Sequence, residues 1–121
     1  MAAIAALSAG AAANAPASAQ EVKLTGAEIA DALTGRTAIY TGSEARQFFA
    51  KSGQTPYWDG KKLSSGSWRV TGDRYCSLWP PSPGWTCYDM VRTGDGEIVW
   101  VGGSGKRYPA TMVDGDRMAA Q

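Results

Sequence analysis

The sequence contains no histidine and only two cysteines, and these absences exclude several kinds of site. Histidine is the commonest general base, the commonest metal ligand and the usual side chain that titrates near neutral pH. A tetrahedral zinc site needs four ligands, which two cysteines cannot supply alone. Cys76 and Cys87 also lack the Cys-x-x-Cys spacing of a thioredoxin-type redox centre. We therefore expect no catalytic residues, no metal and no cofactor, and a protein that is not an enzyme.

The chain also lacks an excess of charge of either sign. Twelve basic and eleven acidic residues give a formal net charge of +1, and the two signs are interspersed. A nucleic-acid-binding protein usually carries a basic face or stripe, which is missing here. We therefore expect no nucleic-acid partner.

Residues 1–19 contain no charged residue at all and are rich in alanine. The segment ends in Ala17-Ser18-Ala19, a small-x-small pattern typical of a signal peptidase site before Gln20. No Lys or Arg follows Met1, so the positively charged start of a signal peptide would have to come from an initiation codon further upstream. The alternative is a disordered alanine-rich tail. A membrane span is disfavoured because the segment is short and only weakly hydrophobic.

The leader predicts an exported bacterial protein, located in the periplasm or secreted. The remaining residues suffice for one domain, which we place at 20–118, with a frayed C-terminus at 119–121.

One helix is predicted at 25–35. Thr25 is a good N-cap, Glu28 completes a capping box, and Gly35 is a typical residue just beyond a helix end. The rest of the domain consists of short β-prone runs separated by glycine-containing turns, of which the second could instead be helical. The predicted fold is mainly β: a short N-terminal helix followed by an antiparallel meander that forms a small barrel or compact sandwich with one disulfide. The predicted strands are 36–41, 45–50, 55–59, 66–71, 74–79, 85–92, 97–101 and 107–113.

In an oxidising compartment, Cys76 and Cys87 are expected to form a disulfide, the alternative being two buried free thiols. If they face each other across an antiparallel pair, Tyr75 lies opposite Tyr88 and Arg74 opposite Asp89. A two-residue turn at Gly72-Asp73 then fixes the pairing register between the strands on either side of it. The expected core face of this three-stranded unit carries Trp68, Val70, Tyr75, Trp79, Tyr88 and Met90.

The residues between the cysteines include three prolines, which stiffen the loop at 79–84 and remove backbone donors. Aromatic residues at strand ends or loop edges can stack on a ligand or fill a partner's pocket, although most tryptophans of a small domain simply form its core. We take Trp79 and Trp85, which flank the prolines, as the best binding candidates. The full set of candidate binding residues is Tyr57, Trp58, Trp79, Trp85, Arg69 and Arg74.

The segments "LTGAEIADALTGRT" and "YWDGKKLSSGSWRVTGDRYCSLWPPSPGWTCYDM" carry a resemblance to a known group. A Gly-x-Trp-Arg-Val strand, a Gly-Asp turn, a cysteine strand ending in Trp and a second cysteine followed by Tyr are similar to the pattern of short exported bacterial proteins of unknown function. The resemblance covers about residues 24–116. It implies an exported β domain and supplies no activity.

The leading functional hypothesis is a non-catalytic envelope module that binds a protein or cell-wall glycan through the Trp79–Trp85 loop and its charged neighbours. A related version is an inhibitor of a lytic enzyme, which rests on analogy of fold alone. The alternative from another class is a lipocalin-like carrier of a small apolar ligand, which needs an open barrel interior. Inward-pointing Trp68, Tyr88 and Trp100 would argue against a carrier. A hydrolase working without histidine is the last alternative, and the sequence does not indicate an oligomeric state.

Overall fold

The computed structural model describes residues 20–119 of the chain. The predicted signal peptide at 1–19 and residues 120 and 121 of the predicted frayed C-terminus lie outside the described residues. Within the described part there are one helix and nine strands. The helix is α1 (Gly26–Leu33), and the strands are β1 (Val22–Lys23), β2 (Arg36–Tyr40), β3 (Arg46–Phe49), β4 (Gln54–Trp58), β5 (Leu63–Thr71), β6 (Arg74–Leu78), β7 (Thr86–Arg92), β8 (Ile98–Val101) and β9 (Arg107–Asp114).

Strands β2 to β9 form a closed antiparallel barrel of eight strands. Each strand pairs with the next one along the chain, and β9 pairs with β2 over five residue pairs from Arg36–Asp114 to Tyr40–Ala110. The structure therefore confirms a small barrel and rules out the sandwich. All eight predicted strands are present, including the second one, which is a strand and not a helix. The two-residue strand β1, which pairs with the end of β7, was not predicted.

The helix begins and ends at the residues that its caps predict. The Thr25 hydroxyl accepts a hydrogen bond from the Glu28 amide at 3.2 Å, and the Glu28 carboxylate accepts one from the Thr25 amide at 2.9 Å. Regular helix ends at Leu33, and Gly35 follows with φ of +73°, a left-handed conformation that favours glycine. The observed helix is thus slightly shorter than the predicted 25–35, because its capping residues are not themselves helical.

Helix α1 closes one end of the barrel. Its buried side chains are Ile29, Ala32 and Leu33, and they pack with the inward-facing residues of the strands. The core occupies this end of the interior. Its buried members are Leu24, Ile29, Ala32, Leu33, Ala38, Phe49, Trp68, Tyr75, Met90, Ile98, Trp100 and Ala110.

The start of the helix is docked on the turn between β5 and β6. The Gly26 amide donates a hydrogen bond to the Asp73 carboxylate at 2.7 Å, and a Cβ atom at Gly26 would lie 2.1 Å from the carbonyl oxygen of Gly72. Only glycine allows this approach of helix to turn. The predicted two-residue turn is present, with Thr71 paired to Arg74.

The register predicted around the disulfide is confirmed. Cys76 and Cys87 are bonded and stand opposite each other, with Tyr75 opposite Tyr88. The Arg74 guanidinium lies 3.3 Å from the Asp89 carboxylate, as that register requires. The predicted core face is also confirmed for Trp68, Val70, Tyr75, Tyr88 and Met90. Trp79 also faces the interior, but it lines a cavity at the other end of the barrel and is not part of the buried core cluster.

Replacing Gly26 by alanine tests the docking of helix on turn. In an ordinary helix this change is favourable, whereas here the new methyl group collides with the Gly72 carbonyl. We expect Gly26→Ala to lower the free energy of unfolding by about 1–3 kcal/mol, as measured by urea denaturation. Gly103→Ala is the matched control, since a Cβ there meets nothing within 4 Å and should leave stability nearly unchanged. A Gly26→Ala protein as stable as the control would contradict the docking.

Candidate ligand-binding site

The end of the barrel opposite α1 opens into a cavity of about 680 Å³. Every tyrosine of the chain lines it, and two of the five tryptophans do so as well. Residues from all eight strands of the barrel and from the loop that follows β6 thus converge on one space. The aromatic lining residues are Tyr40, Tyr57, Tyr75, Tyr88, Tyr108, Trp79 and Trp100.

The alternation of strand residues explains why the aromatic rings meet. Residues two apart in a strand point to the same side of the sheet. Tyr40 and Tyr88 thus face inward with the buried core residues Ala38 and Met90. Tyr57 and Trp79 pack edge to face with ring centroids 5.9 Å apart, and Tyr88 and Tyr108 do so at 6.2 Å. Aromatic pairs of this geometry stabilise each other beyond their buried area. The walls are therefore preformed from rings that present both faces and edges.

The floor of the cavity is a hydrogen-bonded network centred on Gln47, which is 5% exposed. The Tyr40 hydroxyl donates to Gln47 Oε1 at 2.6 Å. Gln47 Nε2 donates to Thr55 Oγ1 at 2.9 Å and to Tyr75 Oη at 3.1 Å. Among the described residues, no buried side-chain nitrogen or oxygen lacks a partner. The floor is therefore polar and internally satisfied.

Trp79 forms part of the wall because a glycine makes room for it. A Cβ atom at Gly66 would lie 2.5 Å from Trp79 Cε3, so the indole ring packs directly on the backbone of β5. The indole Nε1 donates to Ser77 Oγ at 3.1 Å, which fixes the direction of the ring. Trp79 thus turns toward the barrel interior, whereas the loop residues that follow it are exposed.

Arg107 is the one charged residue among the described residues that line the cavity. Neighbouring residues of a strand point to opposite faces, and Tyr108 points inward, so the Arg107 side chain leaves toward the outside. There its Nη2 donates to the carboxylate of Glu21. The interior surface is therefore aromatic, hydroxylic and without a charge of its own.

Burial keeps the phenols of the floor in their neutral form. It raises the pKa of Tyr40 well above the ordinary value of 10.0, with neighbouring phenols Tyr75, Tyr57 and Tyr88 adding to the effect. Burial also raises the pKa of Tyr75, although its hydrogen bonds with Ser77 and Gln47 act in the other direction. Partial burial raises the pKa values of Tyr57 and Tyr88 in the same sense. At physiological pH these four side chains are hydroxyl donors and acceptors.

The structure brings together two of the six candidate binding residues, namely Tyr57 and Trp79. The other four, Trp58, Trp85, Arg69 and Arg74, do not line the cavity. On the outer face, Arg69 Cζ lies 3.9 Å from the ring centroid of Trp85, and Arg74 pairs with Asp89. Trp79 and Trp85 therefore lie on different faces of the barrel, and only Trp79 lines the cavity.

The residues that sequence reasoning missed are those of the cavity floor and far wall: Tyr40, Gln47, Trp100 and Tyr108. Tyr75 and Tyr88 were assigned to the core face and not to a site. A signal was present, because five of the eight predicted strands, 36–41, 55–59, 74–79, 85–92 and 107–113, each carry one tyrosine. Core residues of a small barrel are usually apolar, so a set of hydroxylated rings on the inward face indicates a lined cavity.

No group of three or more His, Cys, Asp or Glu side chains that could hold a metal ion occurs within residues 20–119. In the same range, no helix is long and apolar enough to cross a membrane. The chain matches no protein-family model, no curated protein and no solved structure. The resemblance to short exported bacterial proteins therefore stays a prediction.

The buried phenols predict a specific response to alkaline pH. In the unfolded chain, tyrosines ionise near pH 10, whereas Tyr40 and Tyr75 keep their protons to higher pH in the folded state. Their contribution to stability is complete below pH 10 and is lost as the pH rises above it. Phenolate absorbance should show at least two of the five tyrosines still protonated above pH 11 in the folded protein.

Tyr40→Phe is the control for this titration. It removes one of the tyrosines that ionise late, so the free energy of unfolding should fall less steeply at alkaline pH than in the wild type. Ionisation of all five tyrosines of the folded wild type near pH 10 would contradict the buried floor.

Proposed function

We propose that this protein is an exported binding protein that holds a small, ring-shaped ligand in the open end of its barrel. The observation that carries the proposal is the convergence of all five tyrosines and two tryptophans on one cavity of about 680 Å³. Known ligand pockets of roughly 300–1,000 Å³ combine mostly apolar or aromatic walls with a few well-placed polar groups. The cavity has both the aromatic walls and the polar groups. The proposed function includes no catalytic step.

The objection that bulky residues would fill a small barrel applies to only one half of the interior. Trp68 is 8% exposed and belongs to the core beside α1, where its ring packs edge to face on Phe49. Trp100 stacks on Phe49 with ring centroids 5.8 Å apart, and so forms the boundary between core and cavity. The interior of an eight-stranded barrel is wide enough either to be filled by side chains or to hold one small ligand. A carrier role is therefore compatible with the size of these residues.

Export is supported by two independent features. The leader pattern at 1–19 predicts secretion, and the Cys76–Cys87 disulfide is compatible with an oxidising compartment. We therefore place the protein in the periplasm or outside the cell.

A second candidate function is binding of an envelope protein or cell-wall glycan, including inhibition of a lytic enzyme. The observation in its favour is the exposed loop at 80–84, beside which Trp85 lies under the Arg69 guanidinium. This function would use the outer face of the barrel and not the cavity. The two candidates therefore depend on different tryptophans.

Titration with N-phenyl-1-naphthylamine, a neutral dye that fluoresces in apolar pockets, tests the cavity. We expect one dye to bind per chain. Trp79→Ala removes part of the wall and should weaken binding about tenfold, whereas Trp85→Ala, its counterpart on the outer face, should leave affinity unchanged. Failure of the wild-type protein to bind, or an equal loss in both variants, would contradict a ligand site in the barrel.

A further inference from the structure

Tyr40 and Gln47 use all of their side-chain hydrogen-bond donors within the floor of the cavity. Tyr40 has one hydroxyl proton, and it goes to Gln47 Oε1 at 2.6 Å. Both protons of Gln47 Nε2 are used, on Thr55 at 2.9 Å and on Tyr75 at 3.1 Å. Thr55 Oγ1 donates to the Phe48 carbonyl at 2.7 Å, and Trp79 Nε1 donates to Ser77 Oγ at 3.1 Å. A ligand that needs donors from Tyr40 or Gln47 would have to break this network.

The same groups keep spare capacity as acceptors. A phenolic oxygen and an amide oxygen can each accept two hydrogen bonds. Among the hydrogen bonds of the described residues, Tyr40 Oη accepts none and Gln47 Oε1 accepts one. Both residues line the cavity. The floor can therefore receive a proton donor from a ligand without rearrangement.

The cavity is unsuited to a charged ligand of either sign. No carboxylate is among the described residues that line it, so a bound ammonium group would have no counter-ion. The only lining cation, Arg107, is paired with Glu21 on the outside. A carboxylate directed at Tyr40 Oη and Gln47 Oε1 would face two acceptor oxygens, and burial of an unpaired charge is costly. The raised pKa of Tyr40 indicates the same disfavour of negative charge at this point.

We propose that the cavity selects an uncharged ring compound whose leading edge carries a hydrogen-bond donor, a hydroxyl or an N–H, directed at Tyr40 Oη and Gln47 Oε1. The aromatic walls pack on the faces of the ring, and the floor accepts a hydrogen bond from its donor. This inference rests on the proposed function and adds to it the chemical class of the ligand.

Four naphthalene derivatives of matched size test the inference by calorimetric titration at pH 7. They are 2-naphthol, its methyl ether 2-methoxynaphthalene, 2-naphthoate and 2-naphthylmethylammonium. We expect 2-naphthol to bind most tightly. The ether, which lacks the donor, should bind about fivefold more weakly, as for the loss of one ordinary hydrogen bond. Both charged compounds should bind more than tenfold more weakly than 2-naphthol.

A double variant, Tyr40→Phe with Gln47→Met, removes the two acceptors to which the ligand's donor is assigned while conserving apolar volume. It should bind 2-naphthol and the methyl ether with equal affinity. Trp85→Phe is the control, because Trp85 lies on the outer face beside Arg69 and does not line the cavity. The control should retain the preference for 2-naphthol. Binding of the ether by the double variant verifies that its pocket is intact. If that variant does not fold, the ranking of the four compounds on the wild-type protein tests the inference alone.

The outcomes separate the two proposals. If none of the four compounds binds the wild-type protein, the proposed ligand-binding function fails. If the methyl ether or 2-naphthoate binds as tightly as 2-naphthol, a ligand site exists but the inferred donor class is wrong. If the ammonium compound binds most tightly, the aromatic walls select a cation and the inference is likewise overturned.

Discussion

The docking of α1 on the turn between β5 and β6 determines which end of the barrel is filled by the hydrophobic core and which end stays open. The Gly26 amide bonds to Asp73 at 2.7 Å, and the lack of a side chain at Gly26 lets the helix reach the Gly72 carbonyl. With the helix in this position, the side chains of Ile29 and Leu33 lie inside one end of the barrel and are fully buried. The helix thus supplies a core that the short strands could not supply alone, and the opposite end is left open.

Phe49 and Gln47 mark the change from core to cavity along a single strand. Both point inward from β3, yet Phe49 packs among Trp68, Tyr75 and Trp100, whereas Gln47 bonds to Tyr40, Thr55 and Tyr75. A buried amide is tolerated only when its polar atoms are satisfied, which the surrounding hydroxyls achieve. The polar floor therefore does not weaken the core beneath it, and it keeps the space above it free of side chains.

Local patterns in the sequence predicted the helix caps, the eight strands of the barrel and the register around the disulfide. They succeeded because Thr25, Glu28, Gly35 and the Gly72-Asp73 turn act over a few residues. The cavity was missed because it depends on contacts between distant strands. The rings of Tyr40 and Trp100, 5.5 Å apart, meet only because β9 pairs with β2 and so brings β8 close to it. Trp79 lies against the backbone of β5 because Gly66 leaves room for its ring.

The most direct test of this account is a crystal structure of the protein grown with 2-naphthol. The account predicts the naphthalene ring within the open end of the barrel, between Trp79 and the tyrosine walls. Its hydroxyl would lie within hydrogen-bonding distance of Tyr40 Oη or Gln47 Oε1, with the Gln47 network unchanged. A ring bound on the outer face beside Trp85, or an open end filled by collapsed side chains, would contradict it.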